Sequence, residues 1–332
     1  MTYEEMYNGR LRIHSMDMAD AAETFSHDVQ KGLAATPKIL PAKYFYDAYG
    51  SQLYEKICTL PEYYPYRAER EILATFGRHI HHAIGPLPLV ELGSGNAAKT
   101  RYLLAQYENA GDTFIYCPVE IERHILLHTA ERLLADFPHL VISALHADFA
   151  QQPEVIRQLG LDVKAIAFLG SSMGNFTPSE SLSFLQRIEA MMGVDDVFLL
   201  GIDLKKSPRL LCPAYDDAQG ITAAFNLNLL RRINRELGGN FDLESFAHVA
   251  LYNEPHGRIE MHLRSLRAQH VSITRLAQVV HFLRGETIHT ENSYKYSLDD
   301  IRSLAAQANL RLDKTWFDRQ RLFLLALFRP GL

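Results

Sequence analysis

The sequence predicts an α/β protein, a doubly wound and mostly parallel sheet joined to a second, α+β domain. Three observations carry this expectation. Short apolar runs alternate with amphipathic helices from Pro88 to Leu204, a glycine turn joins the first run to its helix, and after Leu204 the alternation stops. At 332 residues, with 47% hydrophobic and 22% charged, the chain has the composition of a globular protein that builds a real core, which excludes disordered and fibrous classes. Lys and Arg total 34 against 39 for Asp and Glu, a net charge of -5, and no stretch gathers the cations that a phosphate backbone would need. No nucleic-acid partner is expected. Cys58, Cys117 and Cys212 are scattered and odd in number, as in a reducing cytosol, and read as small core residues. The opening MTYEEMYNGRLRIHSMD has no apolar signal core, and no run of eighteen apolar residues occurs, so the expectation is a cytoplasmic monomer without a membrane partner.

Taken in order, the first fifteen residues read as polar and mixed, with a mobile extreme terminus, and Ala19 to Leu33 as a short helix before the Pro37 to Pro41 turn. Between Tyr44 and Tyr66 fall seven tyrosines and a phenylalanine. By default such a cluster is a small hydrophobic core under a loop, ahead of a ligand pocket. PLVELGSG then reads as a buried strand and KTRYLLAQYENA as its helix. FIYCPVEI is a second strand, followed by the helix ERHILLHTAERLLADFP with Ile125, Leu126, Ala130, Leu133, Leu134 and Phe137 on one side. LVISALHADF and AIAFLGSSMGNF give a third and fourth strand, and DVFLLGIDL a fifth after the helix SESLSFLQRIEAMM. From Lys206 to Phe241 the pattern is a turn and then a helix using Phe225, Leu229, Leu230, Ile233 and Leu237. HGRIEMHLRSL alternates Ile259, Met261 and Leu263 inward with Arg258, Glu260 and His262 outward, as in a half-exposed antiparallel strand. The tail predicts one helix and two strands, DKTWFD and LFLLALF, closing the sheet as a hairpin.

In ELGSGNAAKT the glycines Gly93 and Gly95 stand where the first strand meets its helix and let backbone approach a ligand. The turn lacks the third glycine of a dinucleotide fingerprint and the GK[ST] end of a P-loop, so neither NAD nor a nucleoside triphosphate fits it. An acid, Glu120, ends the second strand, where a carboxylate can accept both hydroxyls of a ribose, and Asp148 ends the third, where it can accept from an exocyclic amine. A glycine turn and two strand-end acids in this order outline a site for adenosine without a pyrophosphate, the layout of S-adenosylmethionine methyltransferases. Either acid alone would be read as a helix cap or a solvated side chain.

LPAKYFYD, LPEYYPYRAEREIL, ELGSGNAAKT, FLGSSMGNFTP, AYDDAQGITAAFN, NRELGGNFD, RIEMHL and HTENSYKY occur in the order and at the spacing of a known family. Over nearly its whole length the chain resembles the histidine Nα-methyltransferases of ergothioneine biosynthesis, within the histidine-specific methyltransferases. The resemblance implies a class I (Rossmann-like) S-adenosylmethionine methyltransferase domain over 68–204 and 296–332. It further implies a discontinuous α+β substrate-binding domain over 1–67 and 205–295, with histidine held between the two. Carried over by position, Gly93, Lys99, Glu120, Asp148 and Phe149 would contact the cofactor. Tyr63, Asn175 and Tyr215 would take the amino acid's carboxylate and amine, with Tyr46 and Gly170 near the amine. Glu291 and Ser293 would hold the imidazole, and Met261 would line the same pocket. Glu stands where the family pattern has Asp at 91 and 120, Asn96 lies in the glycine turn, and Ser172 replaces a threonine, departures that bear on affinity more than on cofactor identity.

The chemistry agrees with such a site. Methyl transfer from a sulfonium to nitrogen is an in-line displacement, so alignment carries most of the catalysis. An ammonium has no lone pair, and acceptors such as the Tyr46 oxygen or the Gly170 carbonyl would relay its proton to water. Tyrosine faces tolerate the quaternary cation that three successive transfers would produce. Selecting histidine requires a partner for the imidazole, and a lost buried partner costs about 1–3 kcal/mol, roughly five- to hundredfold in binding. On pattern alone Glu291 would be a surface carboxylate paired with Lys295; the resemblance reverses that reading. Competing readings are a sibling methyltransferase for another amino acid or amine, a non-catalytic S-adenosylmethionine-binding module and, more distantly, a dehydrogenase. His79, His81 and His82 lack partners at metal-binding spacing, and no metal is expected. Ser171 and Ser172 lack a nucleophile elbow, and Asp216 with Asp217 reads as a turn or helix cap.

Overall fold

The structure, a computed structural model, describes residues 2–15, 21–149 and 153–331. The chain opens with β1 (Thr2–Met6) and β2 (Leu11–Ser15), then α1 (Ala21–Ala34), the short β3 (Lys38–Ile39), α2 (Ala48–Thr59) and the long α3 (Tyr64–Ile84). The helix expected from Ala19 is α1; Ala19 and Asp20 lie outside the described residues. The alternating region forms β4 (Leu89–Leu92), α4 (Arg101–Glu108), β5 (Phe114–Glu120), α5 (Arg123–Asp136), β6 (Leu140–His146), β7 (Ala165–Phe168), α6 (Pro178–Glu189) and β8 (Val197–Asp203). Then come α7 (Pro208–Tyr215), α8 (Ile221–Leu237), β9 (Phe246–Asn253), β10 (Arg258–Ser265), β11 (Gln269–Ile273), β12 (Gln278–Phe282) and β13 (Thr287–Tyr294). The chain closes with α9 (Leu298–Gln307), β14 (Leu310–Phe317) and β15 (Phe323–Pro330). Two compact units result, one of Met1–Met18, Pro65–Leu204 and Tyr296–Leu332, the other of Ala19–Tyr64 and Lys205–Lys295.

The larger unit is built on a nine-stranded sheet in the order β1-β2-β6-β5-β4-β7-β8-β15-β14. Strands β2 through β8 run parallel, and β15 pairs antiparallel with both β8 and β14. Every residue of β4, β7 and β8 is buried, as continuous apolar runs in the middle of a parallel sheet require. From α3, Ile72, Leu73 and Ile80 pack into the same core as Leu89, Tyr116, Ile142 and Leu199. Thr177 and Glu180 close a capping box with Pro178 in the first turn of α6, so that helix starts where its sequence dictates. The chain builds outward from β4 through β5 to β6 and then resumes at β7, on the other side of β4. This reversal opens a crevice at the carboxyl ends of β4 and β7.

The N-terminal segment corrects the expectation. It was assigned to the second domain with a mobile tail, yet β1 and β2 form a hairpin, and β2 extends the large sheet by parallel pairing with β6. Leu11 and Ile13 alternate with Arg12 and His14 and are fully buried, a half-buried strand of period two hidden in a mixed composition. Residues 65–67 also belong to the larger unit, because α3 runs through them without a break.

The smaller unit carries a four-stranded sheet, β3-β13-β10-β9, and the separate hairpin β11-β12. Helices α7 and α8 pack on β9 and β10. Where one turn was expected before α8, a helix forms instead, because Ser207 caps it and Pro208 opens its first turn. Asp217 is the expected cap: its carboxylate accepts from the Ile221 and Thr222 amides at 3.0 and 2.7 Å, starting α8. Ile259, Met261 and Leu263 are buried as the alternation predicts. No helix among the described residues is long and apolar enough to cross a membrane.

Candidate active site

In the larger unit the glycine turn is stitched to the end of β5. The Gly93 and Ser94 amides donate to the Val119 carbonyl at 2.9 and 3.3 Å, and the Gly95 amide donates to Glu120 Oε2 at 2.9 Å. Gly93 has φ +66°, and a Cβ there would lie 3.1 Å from the ring of Phe149, so this position needs glycine for both conformation and approach. The other Glu120 oxygen accepts from the Ile121 and Glu122 amides at 2.9 and 3.3 Å. Burial raises the Glu120 pKa, against the pull of these backbone donors. Phe149 stands edge-on to Phe168, with centroids 5.4 Å apart, and Asp148 precedes it, half-buried. Gly93, Glu120 and Phe149 are thus brought together at the carboxyl edge, with Asp148 next in the chain.

Lys99 and Gly170 meet through a residue that sequence reasoning missed. Glu69, fully buried on α3, is ion-paired with Lys99 and accepts from the Gly170 amide through both oxygens, at 2.8 and 3.0 Å. Gly201 on β8 makes room for it, since a Cβ there would sit 2.3 Å from Glu69 Oε1. A signal existed: Glu69 falls on the stripe of Ile72, Leu73, Phe76 and Ile80, an acid on the apolar side of a helix. Beneath the turn, Glu91 accepts from Thr100 Oγ1 at 2.6 Å and from the Tyr116 hydroxyl. Burial pushes its pKa up to about 7, although Thr100, Tyr116 and Lys99 pull the other way. Asn175 ends the single turn Ser172–Asn175 after β7 and is exposed. Both serine hydroxyls bond to backbone: Ser171 Oγ accepts from the Asp203 amide, and Ser172 Oγ donates to the Leu169 carbonyl.

In the smaller unit a β-bulge sets the chemistry. Leu263 pairs with Ile288 and His262 with His289, but Met261 pairs with Glu291 and Ile259 with Ser293, leaving Thr290 as the extra residue. The bulge therefore puts Ile288, Glu291 and Ser293 on the face of Met261 and Leu263. The Thr290 hydroxyl ties it down by donating to the Met261 carbonyl at 3.0 Å. Ser293 Oγ, the Tyr215 hydroxyl and Lys295 Nζ form a closed triangle, each edge 2.7 Å, and all three residues are buried. Lys295 follows Ser293 by two residues and so shares its face, the pattern that could have revealed it. Glu291 is half-buried, and its carboxylate has no hydrogen-bond partner among the described residues. Burial pushes its pKa up to about 7, with Lys295 opposing.

The tyrosine run divides its labour. Tyr44 donates to Asp28 at 2.6 Å and is core. Tyr46, Tyr54, Tyr63 and Tyr215 instead form an edge-to-face chain with centroids 5.5, 6.3 and 6.3 Å apart, and Phe225 stands 5.5 Å from Tyr46. Burial raises the Tyr54 and Tyr63 pKa values, so both stay protonated. All six expected substrate residues of this unit, Tyr46, Tyr63, Tyr215, Met261, Glu291 and Ser293, belong to the aromatic chain or the bulged face. The set-aside histidines lie in α3, where the His81 ring packs 4.3 Å from Tyr107, and no metal-binding cluster occurs among the described residues.

Taken from β6, the sheet order β6-β5-β4-β7-β8-β15-β14, with β15 reversed beside β8, defines the larger unit as a class I, Rossmann-like methyltransferase domain. Its donor set fits S-adenosylmethionine: the carboxylates Glu120 and Asp148 suit hydroxyl and amine donors and would repel a pyrophosphate. A family described as histidine-specific, SAM-dependent methyltransferase matches residues 25–330. The chain is 42% identical over 307 residues to a histidine N-alpha-methyltransferase of Mycolicibacterium smegmatis, covering 92% of this chain and 95% of the relative. It is 40% identical over 300 residues to one of Mycobacterium tuberculosis, covering 90% and 93%. A 4-dimethylallyltryptophan N-methyltransferase of Claviceps purpurea is 28% identical over 320 residues, covering 89% and 91%. The chain belongs to the S-adenosylmethionine-dependent, histidine-specific methyltransferase family.

Proposed function

We propose that this enzyme methylates the α-amine of L-histidine and repeats the transfer until the trimethylated betaine, hercynine, is formed. The observation that carries this reading is the bulged strand, which presents a carboxylate without a hydrogen-bond partner, Glu291, beside the Ser293 hydroxyl on one face. An acceptor two residues from a hydroxyl suits a heterocycle with two ring nitrogens better than an apolar indole, the feature that favours histidine over the tryptophan derivative named for a more distant relative.

The bound cofactor supplies an electrophilic methyl group on a sulfonium. On this reading Gly93 and Phe149 frame the adenosyl group, Glu120 accepts from the ribose, Asp148 accepts from the adenine amine, and Lys99 faces the cofactor's carboxylate. Tyr63, Asn175 and Tyr215 take the carboxylate and amine of histidine. The Tyr46 oxygen and the Gly170 carbonyl accept hydrogen bonds from the ammonium and relay the proton that it sheds before each transfer to water. The faces of Tyr46, Tyr54 and Tyr63 suit a cation that loses its N–H donors as methyl groups accumulate, which supports successive transfers.

Incubation with S-adenosylmethionine and each of the twenty amino acids, followed by product masses, tests this directly. Products heavier by one, two and three methyl groups are expected from histidine alone. A methylated product from another amino acid, or cofactor binding with no methylated histidine, would overturn it.

A further inference from the structure

We propose that Glu69 is a positioning residue for methyl transfer: from within the core its carboxylate fixes the turn of the chain at Gly170 and so aims the Gly170 carbonyl at the amine. This deepens the proposed reading and rests on that carbonyl meeting the histidine amine.

The carboxylate runs against the ordinary preference of its position. It is fully buried on the apolar stripe of α3, where a leucine would pack without the cost of taking a charge out of water. Yet its surroundings are built around it. Gly201 on β8 gives up a side chain there: a Cβ would lie 2.3 Å from Glu69 Oε1, 3.2 Å from the Gly170 nitrogen and 3.3 Å from Leu169 Cα. Lys99 Nζ reaches the same point, ion-paired with Glu69 and 3.4 Å from where a Cβ on Gly170 would be. All of these residues belong to the larger unit.

What the carboxylate holds is one peptide. Its oxygens accept from the Gly170 amide at 2.8 and 3.0 Å, and at the other end of the same peptide the Leu169 carbonyl accepts from Ser172 Oγ at 3.1 Å. A planar peptide gripped at both ends does not rotate. The next two residues are left-handed, Gly170 at φ +80° and Ser171 at φ +59°, so the chain reverses directly after the gripped peptide. Ser171 is fixed in turn: its Oγ accepts from the Asp203 amide at 2.9 Å and its carbonyl from the Gly174 amide at 2.9 Å. The Gly170 carbonyl lies between these two anchors, and its direction follows from them. Glycine takes the positive φ without strain and leaves it as easily, so the order of this turn comes from its anchors and not from the residue itself. In an in-line transfer, an error of about 1 Å in placement costs on the order of 100-fold in rate. Glu69 therefore acts on the rate through Gly170.

The test compares Glu69→Gln with Glu69→Met in the full-length protein. It reads kcat for histidine methylation at saturating S-adenosylmethionine and histidine, counted per S-adenosylhomocysteine-binding site, because a merely structural role lowers the number of such sites and not the turnover of each. Glutamine keeps one acceptor for the Gly170 amide, which the backbone holds in place, and gives up Lys99, whose stem can swing away; methionine keeps the shape and gives up both. Glu69→Met is expected to lower kcat about 10- to 100-fold and Glu69→Gln by no more than about threefold, with KM for histidine changing less than kcat. Both variants lose the Lys99 contact, so a change in cofactor affinity is common to them and cancels in the comparison. Gly201→Ala displaces the carboxylate while both charges remain, and it is expected to lower kcat in the same way, which keeps the test decisive if Glu69→Met does not fold. Equal losses in the two Glu69 variants, an undiminished kcat in Glu69→Met, or an undiminished kcat in Gly201→Ala would overturn the proposal. If the wild type forms no methylated histidine, the functional reading falls and the proposal with it, a result distinct from the other three.

Discussion

Glu91 is an acid held where water does not reach, 3% exposed beneath the glycine turn. Its pKa of about 7 in the fold, against 4.5 for the free group, means that the folded protein prefers it protonated. A raised pKa contributes stability that is complete below pH 4.5 and lost as pH climbs through 7. The Glu91→Gln variant, which cannot ionise, is expected to gain stability relative to wild type between pH 5 and 8, on the order of 3 kcal/mol at most. Urea melts of both proteins across that range measure it, and a difference that does not change with pH would show that the carboxyl titrates normally. Glu69 and Lys295 teach a related lesson. Each is a charged side chain whose position in a periodic pattern marks it as buried, but a partner that holds it, Gly170 for Glu69 and Tyr215 for Lys295, is remote in sequence.

At the scale of the element, the bulge in β13 decides which side chains share a face. Regular alternation from Ile288 would put Thr290, Asn292 and Tyr294 on the inner face and turn Glu291 and Ser293 outward. One extra residue reverses the phase. Thr290 holds the bulge through its bond to the Met261 carbonyl, so Thr290→Val is expected to cost about 1–2 kcal/mol of stability and to weaken histidine binding several-fold. Calorimetry with histidine and, separately, with S-adenosylhomocysteine checks this; unchanged histidine affinity would show that the bulge does not position Glu291. A helix start was legible where a cap announces it, as at Asp217. The bulge was not, because nothing local in HTENSYKY says that one residue will be skipped in the pairing.

Across the whole molecule, the expected cofactor residues Gly93, Lys99, Glu120, Asp148 and Phe149 fall in one compact unit, and the imidazole residues Met261, Glu291 and Ser293 in the other. Ligand protection should divide in the same way. Hydrogen exchange on the full chain is expected to slow around residues 93–99, 120 and 148–149 with S-adenosylhomocysteine, and around 261 and 291–295 with histidine. Protection of 291–295 by the cofactor product alone, with no further effect of histidine, would contradict the assignment of the imidazole to that strand.

By itself the sequence determined the alternating core of the sheet, the glycine turn, the two strand-end acids and the closing hairpin. Those features follow from periodicity and from residues a few positions apart, and such signals are local. Only the tertiary structure decided that Leu11 and Ile13 extend the sheet beside β6, that Glu69 ties Lys99 to Gly170, and that Lys295 closes a triangle with Tyr215 and Ser293. Each of those is a pairing across a large sequence separation or a shift of strand register. Its free energy depends on which surfaces meet, and no window of neighbouring residues contains that information.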